Sequence, residues 1–274
     1  MTYIEHEFEV VKKTNVPNTI DSLKHDLKSL GVQKGAVIIM HSSLSSIGWT
    51  VGGPISVITA MMELLTPKGT LVMPTFSGGN TEPSNWQYPP VPESWWEIIR
   101  ENMPGFERKT TPTRGMGCIV ETFRSFQKVF RSDHPISSFA AWGKHAKNIT
   151  KDHKLNSDLG ENSPLSRIYD LDGQILLLGV SHESNTSIHL AEYRCDYRDK
   201  QFMPNASAIK VKNGRNWVVW NELNHCIDDF EQLGQDFERL IQYKPKKVGR
   251  AESRLLSQRK MVDFAMKWIT ENRI

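Results

Sequence analysis

Apolar and polar positions along the chain switch repeatedly between the short continuous runs of buried strands and the three-to-four spacing of amphipathic helices. Residues 174–180 (QILLLGV) form an apolar run of strand length that stops at the small and polar cluster SHESNTS. That cluster passes into a helix, with Thr186 or Ser187 as N-cap and Ile188, Leu190 and Ala191 as positions that pack back on a sheet. Upstream, residues 19–30 predict a helix with Leu23, Leu27 and Leu30 on one face and Gly31 as its C-cap. Residues 36–41 predict a strand that empties into HSSLSSIGWTVGGP. A helix over 55–65 behind Pro54 and a strand over 70–76 follow. Further helices are expected over 117–126 and, starting on Ser-Pro, over 163–170, with the stretch VFRSDHPISSFAAWG between them as a connection. Its His134-Pro135 pair requires extended or turn geometry and suits a capping or packing histidine. Residues 207–212 and 217–220 alternate around Asn213-Gly214, a hairpin signal, and 226–242 and 252–272 read as two closing helices.

The periodic pattern breaks over 77–113. This stretch is rich in proline, glycine and tryptophan and holds at most one short helix, near 95–101. Its aromatic content argues for an ordered loop or lid over the strand ends. With 274 residues the chain can bury a large core, and the alternation of elements predicts a compact layered α/β fold spanning 1–274 as a single domain. The net charge of +3 comes from scattered lysines and arginines, which disfavours a nucleic-acid partner. No apolar run is long enough for a membrane span and MTYIEHEFEVVKK lacks a signal-peptide core, so the expectation is a soluble, cytoplasmic protein. Cys118, Cys195 and Cys226 are an odd number without CxxC spacing. Buried structural thiols are expected, and neither a disulfide framework nor a metal site.

Two junctions carry candidate chemistry. In open α/β sheets, strand ends and helix N-termini are where ligands collect. The serine- and glycine-rich turn at 42–53 offers hydroxyls and N–H groups that cradle an anion or polarise a carbonyl, although a plain strand-to-helix turn explains it as well, since no Walker or GxGxxG pattern is present. The second junction holds His182, Glu183, Asn185, His189 and Glu192. A nucleophilic reading, with Ser42, Ser43 or Ser45 activated by histidine, lacks a GxSxG elbow. A metal site on His182, Glu183 and His189 has a seven-residue separation in place of the four of HExxH. The third reading makes His189 a general base oriented by Glu183 or Glu192; His189 and Glu192, three apart, share a helix face. Spacing alone leaves these alternatives open.

Six blocks in order carry a resemblance: HSSLSSIGWTVGGP, FSGG with the following tryptophan and PPVP, TPTRGMGCIVETFR, RSDHPISSFAAWG, GVSHESNTSIHLAE and KVGRAESRLLSQRKMVDFA. From about residue 35 to about 267 the chain resembles the aminoglycoside 3-N-acetyltransferase family. The resemblance implies that family's fold, here with a C-terminal β-hairpin and two closing helices. It also implies transfer of acetyl from acetyl-CoA to the 3-amino group of a 2-deoxystreptamine antibiotic, with no metal. His189 then stands where the family has its catalytic base, and Glu183 where the family commonly has aspartate; whether Glu183 or Glu192 holds the imidazole stays open. Ser42, Ser43 and Leu44 match the coenzyme-contacting turn, and Thr113, Arg114 and Gly117 the second coenzyme block. A polycationic acceptor requires local negative charge, for which Glu82, Glu93, Glu97, Glu183 and Glu192 are candidates, with His182 and Asn185 beside them. The departures TEP and GFER fall in the implied substrate wall. Rival expectations are the same transfer to another amine metabolite, a serine acyl hydrolase and a non-catalytic CoA-binding protein.

Overall fold

A computed structural model describes residues 3–273, so that Met1, Thr2 and Ile274 of the expected 1–274 unit lie outside the described residues. Helices α1 (Tyr3–Lys12) and α2 (Ile20–Leu30) precede strand β1 (Val37–Ser42), and α3 (Leu44–Ile47) and α4 (Pro54–Leu65) lead to β2 (Thr70–Pro74). After a loop containing α5 (Trp96–Asn102) come α6 (Gly117–Phe123), β3 (Phe130–Arg131), β4 (Phe139–Gly143), α7 (Ala146–Thr150) and α8 (Pro164–Asp170). Strand β5 (Gln174–Leu178) runs towards α9 (Ile188–Arg194). The hairpin of β6 (Phe202–Val211) and β7 (Gly214–Leu223) is followed by α10 (Phe230–Leu240), β8 (Lys246–Val248), β9 (Ala251–Ser257) and α11 (Gln258–Asn272).

Seven strands form one sheet in the order β3-β4-β2-β1-β5-β9-β8, while β6 and β7 pair separately. The centre is parallel, with Ile39 of β1 opposite Val72 of β2 on one side and Ile175 of β5 on the other; β4 and β9 flank it antiparallel. Side chains one apart on a strand point to opposite faces. Ile38 and Met40 therefore pack with Leu23 and Leu27 of α2, Ile58 and Met61 of α4 and Phe123 of α6. Val37 and Ile39 pack on the other face with Leu165 and Ile168 of α8, Ile188 and Leu190 of α9 and Met261 and Ala265 of α11. Burial on both faces is why β1 and β5 read as unbroken apolar runs. From β1 the chain connects to β2 on one side, while β5 lies on the other. That divergence opens a crevice at their carboxyl ends.

Local signals fix several boundaries. Thr19 and Ser22 form a capping box at the start of α2, Gly31 closes it at φ 122°, and Ser163 and Pro164 start α8. Several readings need correction. The stretch expected as a connection contains β3 and β4, whose short FAAWG run is completed by its partner β2. Residues 252–257 form most of β9 and not the start of a helix. Pairing with β5 overrides their helical composition, and Ser257 caps α11 instead. α10 begins at Phe230, because Cys226 has both its N–H and its carbonyl engaged by Glu192 and Arg273 outside any helix. The hairpin strands run to ten residues each, the turn occupies Lys212 and Asn213, and Gly214 takes φ 113°. α6 ends at Phe123, and α1 has no counterpart in the expected elements.

The 77–113 loop is pinned from beneath. The buried Arg131 guanidinium donates to the carbonyls of Thr75 (2.8 Å) and Thr111 (2.6 Å) and to Ser77 Oγ (2.9 Å). Asn80 reaches Ser207 Oγ of the hairpin at 2.9 Å, and Phe106 N–H reaches Ala208 O at 2.9 Å. Among the described residues no helix is long and apolar enough to cross a membrane.

One close approach makes a test of the packing. Gly234 of α10 lies so near the His182 ring that an added Cβ would sit 2.0 Å from Cγ. Gly234→Ala is expected to lower stability by about 1–3 kcal/mol, the usual penalty of overpacking. Urea denaturation should show a lower midpoint with an unchanged slope; an unchanged midpoint would mean that His182 moves aside freely.

Candidate active site

The crevice holds a cleft of about 1020 Å³ lined by the ends of β1, β2 and β5, the turn after β1, the start of α6 and one side of α1. Two turns from opposite halves of the chain meet here because Gly179, at φ 71°, ends β5 without a side chain. A Cβ there would lie 2.7 Å from Ser46 Cβ and 3.0 Å from Ala251 Cβ. The turn after β1 is tied to β5 by Ser43 N–H donating to Leu178 O at 3.0 Å. Ser43 caps α3 without a side-chain bond to it, its hydroxyl being engaged by Ser46 at 2.8 Å. The N–H groups of Leu44 and Ser45 begin α3 ahead of any intrahelical acceptor. Gly53 likewise precedes α4 with no side-chain cap, leaving that helix's first turn open to the cleft.

After β5, Ser181 caps a short turn over His182–Ser184, and Asn185 N–H bonds back to His182 O before α9 begins. His189, in the first turn of α9, is 8% exposed and lines the cleft. Its Nδ1 is 2.5 Å from Glu192 Oε2. Glu192 is fully buried, and its other oxygen accepts from Arg273 Nη1 at 2.5 Å and from Cys226 N–H at 3.4 Å. Burial works against a charge on Glu192, but the two imidazoles and Arg273 hold its carboxyl well below the usual range. An ionised carboxylate only accepts, so Nδ1 carries the proton and Nε2 is the basic nitrogen.

His225 completes the cluster from the loop between β7 and α10. Its ring lies 4.5 Å from that of His189 at 60°, and Phe230 covers His189 at 4.8 Å. His225 Nε2 is 2.9 Å from Asp158 Oδ2, and its Nδ1 is 3.7 Å from Glu192 Oε2. Asp158 also accepts from the Tyr193 hydroxyl at 2.6 Å and from Ser137 Oγ at 3.2 Å. Burial alone would lower His225, yet Asp158 and Glu192 push it up to about 10. His189 moves the other way, lowered by burial and by His225 and only partly supported by Glu192. His41, at the end of β1, is lowered to about 3 by burial, with a further push from His189, and its Nε2 has no hydrogen-bond partner.

Of the candidate residues, Ser42, Ser43, Leu44, Gly117, Glu183 and His189 line the cleft, and Glu192 supports it from behind. Glu183 is exposed there, and the carboxylate bonded to the imidazole is that of Glu192. Thr113 gives both its N–H (3.0 Å) and its hydroxyl (2.7 Å) to Glu121, and Arg114 Nη2 donates to Tyr88 O at 3.0 Å; neither lines the cleft. Glu82 is spent on Arg100 at 2.6 Å, and Glu93 and Glu97 are exposed outside the cleft. His182 is buried, with Nε2 at 2.8 Å from Glu238 and Asn185 at 3.5 Å from Nδ1, so this pair braces α10 beneath the cleft. Cys195 is buried as expected and Cys226 partly so. Cys118 is exposed, because the first turn of α6 faces the open cleft. Sequence reasoning missed His225, Asp158 and Arg273, which stand alone in their segments, and passed over His41 at the head of HSSLSS. Metal-ligand spacing is met, among the described residues, by His189, Glu192 and His225. His189 Nδ1 and Glu192 are already bonded to each other, and Arg273 and a cationic His225 supply the positive charge.

Residues 39–270 match the family model described as aminoglycoside 3-N-acetyltransferase. The chain is 46% identical over 265 residues to the SPbeta prophage-derived aminoglycoside N(3')-acetyltransferase-like protein YokD of Bacillus subtilis (strain 168), covering 96% of this chain and 97% of that one. The YokD crystal structure superposes with a TM-score of 0.92 at 45% identity, covering 96% of this chain and 97% of that one. Two other solved structures are similar. AAC-IIIb as a binary complex with CoASH has a TM-score of 0.85 and 26% identity over 94% of this chain and 98% of that one. A mutant of AAC(3)-IVa in complex with a gentamicin has a TM-score of 0.78 and 30% identity over 94% and 91%.

The shifts set a pH window for stability. His41, His134, His153 and His189 all sit below their ordinary 6.5, so the unfolded chain takes up protons that the folded one refuses, and stability is lost as pH falls below about 6.5. His225 has the opposite sign: its contribution is complete below 6.5 and is lost as pH rises towards about 10. Urea midpoints are expected to peak between roughly pH 6 and 7.5 and to fall at about pH 4.5 and about pH 9.5. A flat profile over that range would contradict these assignments.

Proposed function

The chain belongs to the aminoglycoside 3-N-acetyltransferase family, and from that premise we propose that it transfers acetyl from acetyl-CoA to the 3-amino group of a 2-deoxystreptamine aminoglycoside, with His189 as general base. The observation that carries this reading is the His189–Glu192 pair at 2.5 Å, set in a cleft at the switch point of the sheet. An amine arrives largely as ammonium and has no lone pair for attack. Nε2 of a neutral His189 accepts one proton of the ammonium, the amine nitrogen forms a bond to the thioester carbon, and the carbon–sulfur bond breaks as the thiolate leaves and takes that proton, while the second proton of the nitrogen passes to solvent as the neutral amide forms. Negative charge develops on the carbonyl oxygen, and the N–H groups of Leu44 and Ser45, at the start of α3 in the cleft lining, are the candidate donors; one such donor is worth on the order of 3 kcal/mol. The open N-terminus of α4 at Gly53 suits the coenzyme's phosphates. At about 1020 Å³ the cleft is at the upper end for a small-molecule site and has room for two substrates. A bound CoASH in AAC-IIIb and a bound gentamicin in the AAC(3)-IVa mutant support both partners.

A second reading, the same transfer to another amine, is favoured by one observation. The candidate carboxylates Glu82, Glu93 and Glu97 are outside the cleft, and Glu7 and Glu183 are the acidic side chains that line it among the described residues. A serine hydrolase is disfavoured because the Ser43 hydroxyl bonds to Ser45 and Ser46 and the Ser42 hydroxyl has no partner, so neither is paired with an imidazole.

His189→Ala should fold, retain acetyl-CoA affinity and lose ~10²- to 10⁴-fold in turnover. The assay is release of coenzyme thiol from acetyl-CoA across a panel of amines that includes 2-deoxystreptamine antibiotics. Wild-type turnover in the variant would remove the base assignment, and thiol release only with other amines would select the second reading.

A further inference from the structure

We propose that His225 is a positioning residue for the acetyl transfer: an imidazolium held between Asp158 and Glu192 and packed edge-on against His189, it keeps a second positive charge off the base. The inference rests on the reading of His189 given above and extends it to a residue that touches no substrate.

The geometry comes from three separate elements. His225 Nε2 meets Asp158 Oδ2 at 2.9 Å, and its Nδ1 faces Glu192 Oε2 at 3.7 Å. Nε2 thus donates to a buried carboxylate, while Nδ1 has no hydrogen-bond partner and faces the Glu192 carboxylate across 3.7 Å, so a ring lying between two buried negative charges is favoured as the imidazolium by charge attraction. Asp158 and Glu192 are 1% and 0% exposed, so removing the proton would strand buried negative charge. The ring itself lies 4.5 Å from that of His189. Two imidazolium groups at that separation, away from water, repel strongly. One of the pair must stay neutral, and the carboxylates select which. Glu192 has a second cation in Arg273, so its pull is shared, while the Asp158 carboxylate is bonded to His225 and to the neutral hydroxyls of Tyr193 and Ser137.

The groups facing His189 are few. Glu192 on its own helix favours its protonated form, as does Asp158 at longer range, and His225 opposes it; His41 from β1 is itself neutral, and Phe230 from α10 contributes an uncharged ring. Arg273 acts behind Glu192 and weakens that carboxylate's pull. His225 is therefore the cation in contact with the base that offsets two carboxylates. Burial is the larger influence lowering His189 and His225 adds to it, so without His225 the two carboxylates would raise the proton affinity of His189 and a smaller share of it would be free to accept a proton from the ammonium.

The test is in two parts. Selectively labelled wild-type enzyme, read by ¹H–¹⁵N correlation of the imidazoles, should show His225 protonated on both nitrogens at about pH 8 while His189 is neutral. A neutral His225 at that pH overturns the inference without any variant having to fold. In His225→Asn the titration of His189 and the acidic limb of the kcat profile should both move to higher pH by roughly one to three units, with turnover recovering in alkali. His225→Lys, which keeps the charge, should move both back. A His189 titration unchanged in His225→Asn overturns the proposal, whatever the turnover. Failure of the base assignment is separate: it appears as normal turnover in His189→Ala, with the titrations of His189 and His225 in the wild type still as described.

Discussion

A buried carboxylate organises this molecule. Glu192 has no contact with water, and a lone negative charge in such a place would cost several kcal/mol. The chain meets that demand with groups from widely separated segments: His189 on the same helix, Arg273 beyond the last helix, the Cys226 N–H and His225 from the loop after the hairpin. Each neutralising group brings its own element with it. The segment before α10 is held out of helical form by the same contacts, and Arg273 carries on to Asp229 at 2.6 Å, so that the start of α10 is fixed as well. Pair interactions of this kind are poor sources of net stability. Their effect here is to fix where the His189 ring lies and which of its nitrogens is free.

The parallel centre of the sheet supplies the other half of the geometry. Strands buried on both faces have to be continuous and apolar, which β1 and β5 are, and their ends must then deliver the chain to the surface in turns made of small residues. Gly179 and the serines after β1 meet that requirement together, and the open first turns of α3 and α4 lie beside them. The His189 imidazole on one wall of the cleft and the open first turns of α3 and α4 on the other are the groups on which the proposed acyl transfer relies.

Much of this was legible in the sequence and some was not, for reasons that differ by element. Elements whose evidence is local, such as α2 with its capping box or the run of β5, are readable because the signal lies within one turn or strand. Strands β4 and β9 are not, because FAAWG and AESRLLS acquire their conformation from partners elsewhere in the sheet. In the site, His189 and Glu192 share a helix and so share a spacing. His225, Asp158 and Arg273 are brought to them only by the fold, and no periodicity marks a lone charged residue in a loop. The carboxylates Glu82, Glu93 and Glu97 illustrate the reverse error: acidic residues in a loop are easily assigned to a substrate, whereas Glu82 has Arg100 as its partner and the other two lie outside the cleft.

The position of β1 between β2 and β5 has a kinetic consequence. Its pairing with β2 joins neighbours in sequence, whereas its pairing with β5 closes a loop that contains the 77–113 segment, β3, β4 and several helices. Long loops of this kind delay the contacts that reward them. The two walls of the cleft lie on opposite sides of that closure. Assembly of the His189 surroundings against the serine turn is therefore bound to the late, non-local stage of folding, and partly folded chains in which β1 and β2 have paired will hold neither the cleft nor its charge arrangement.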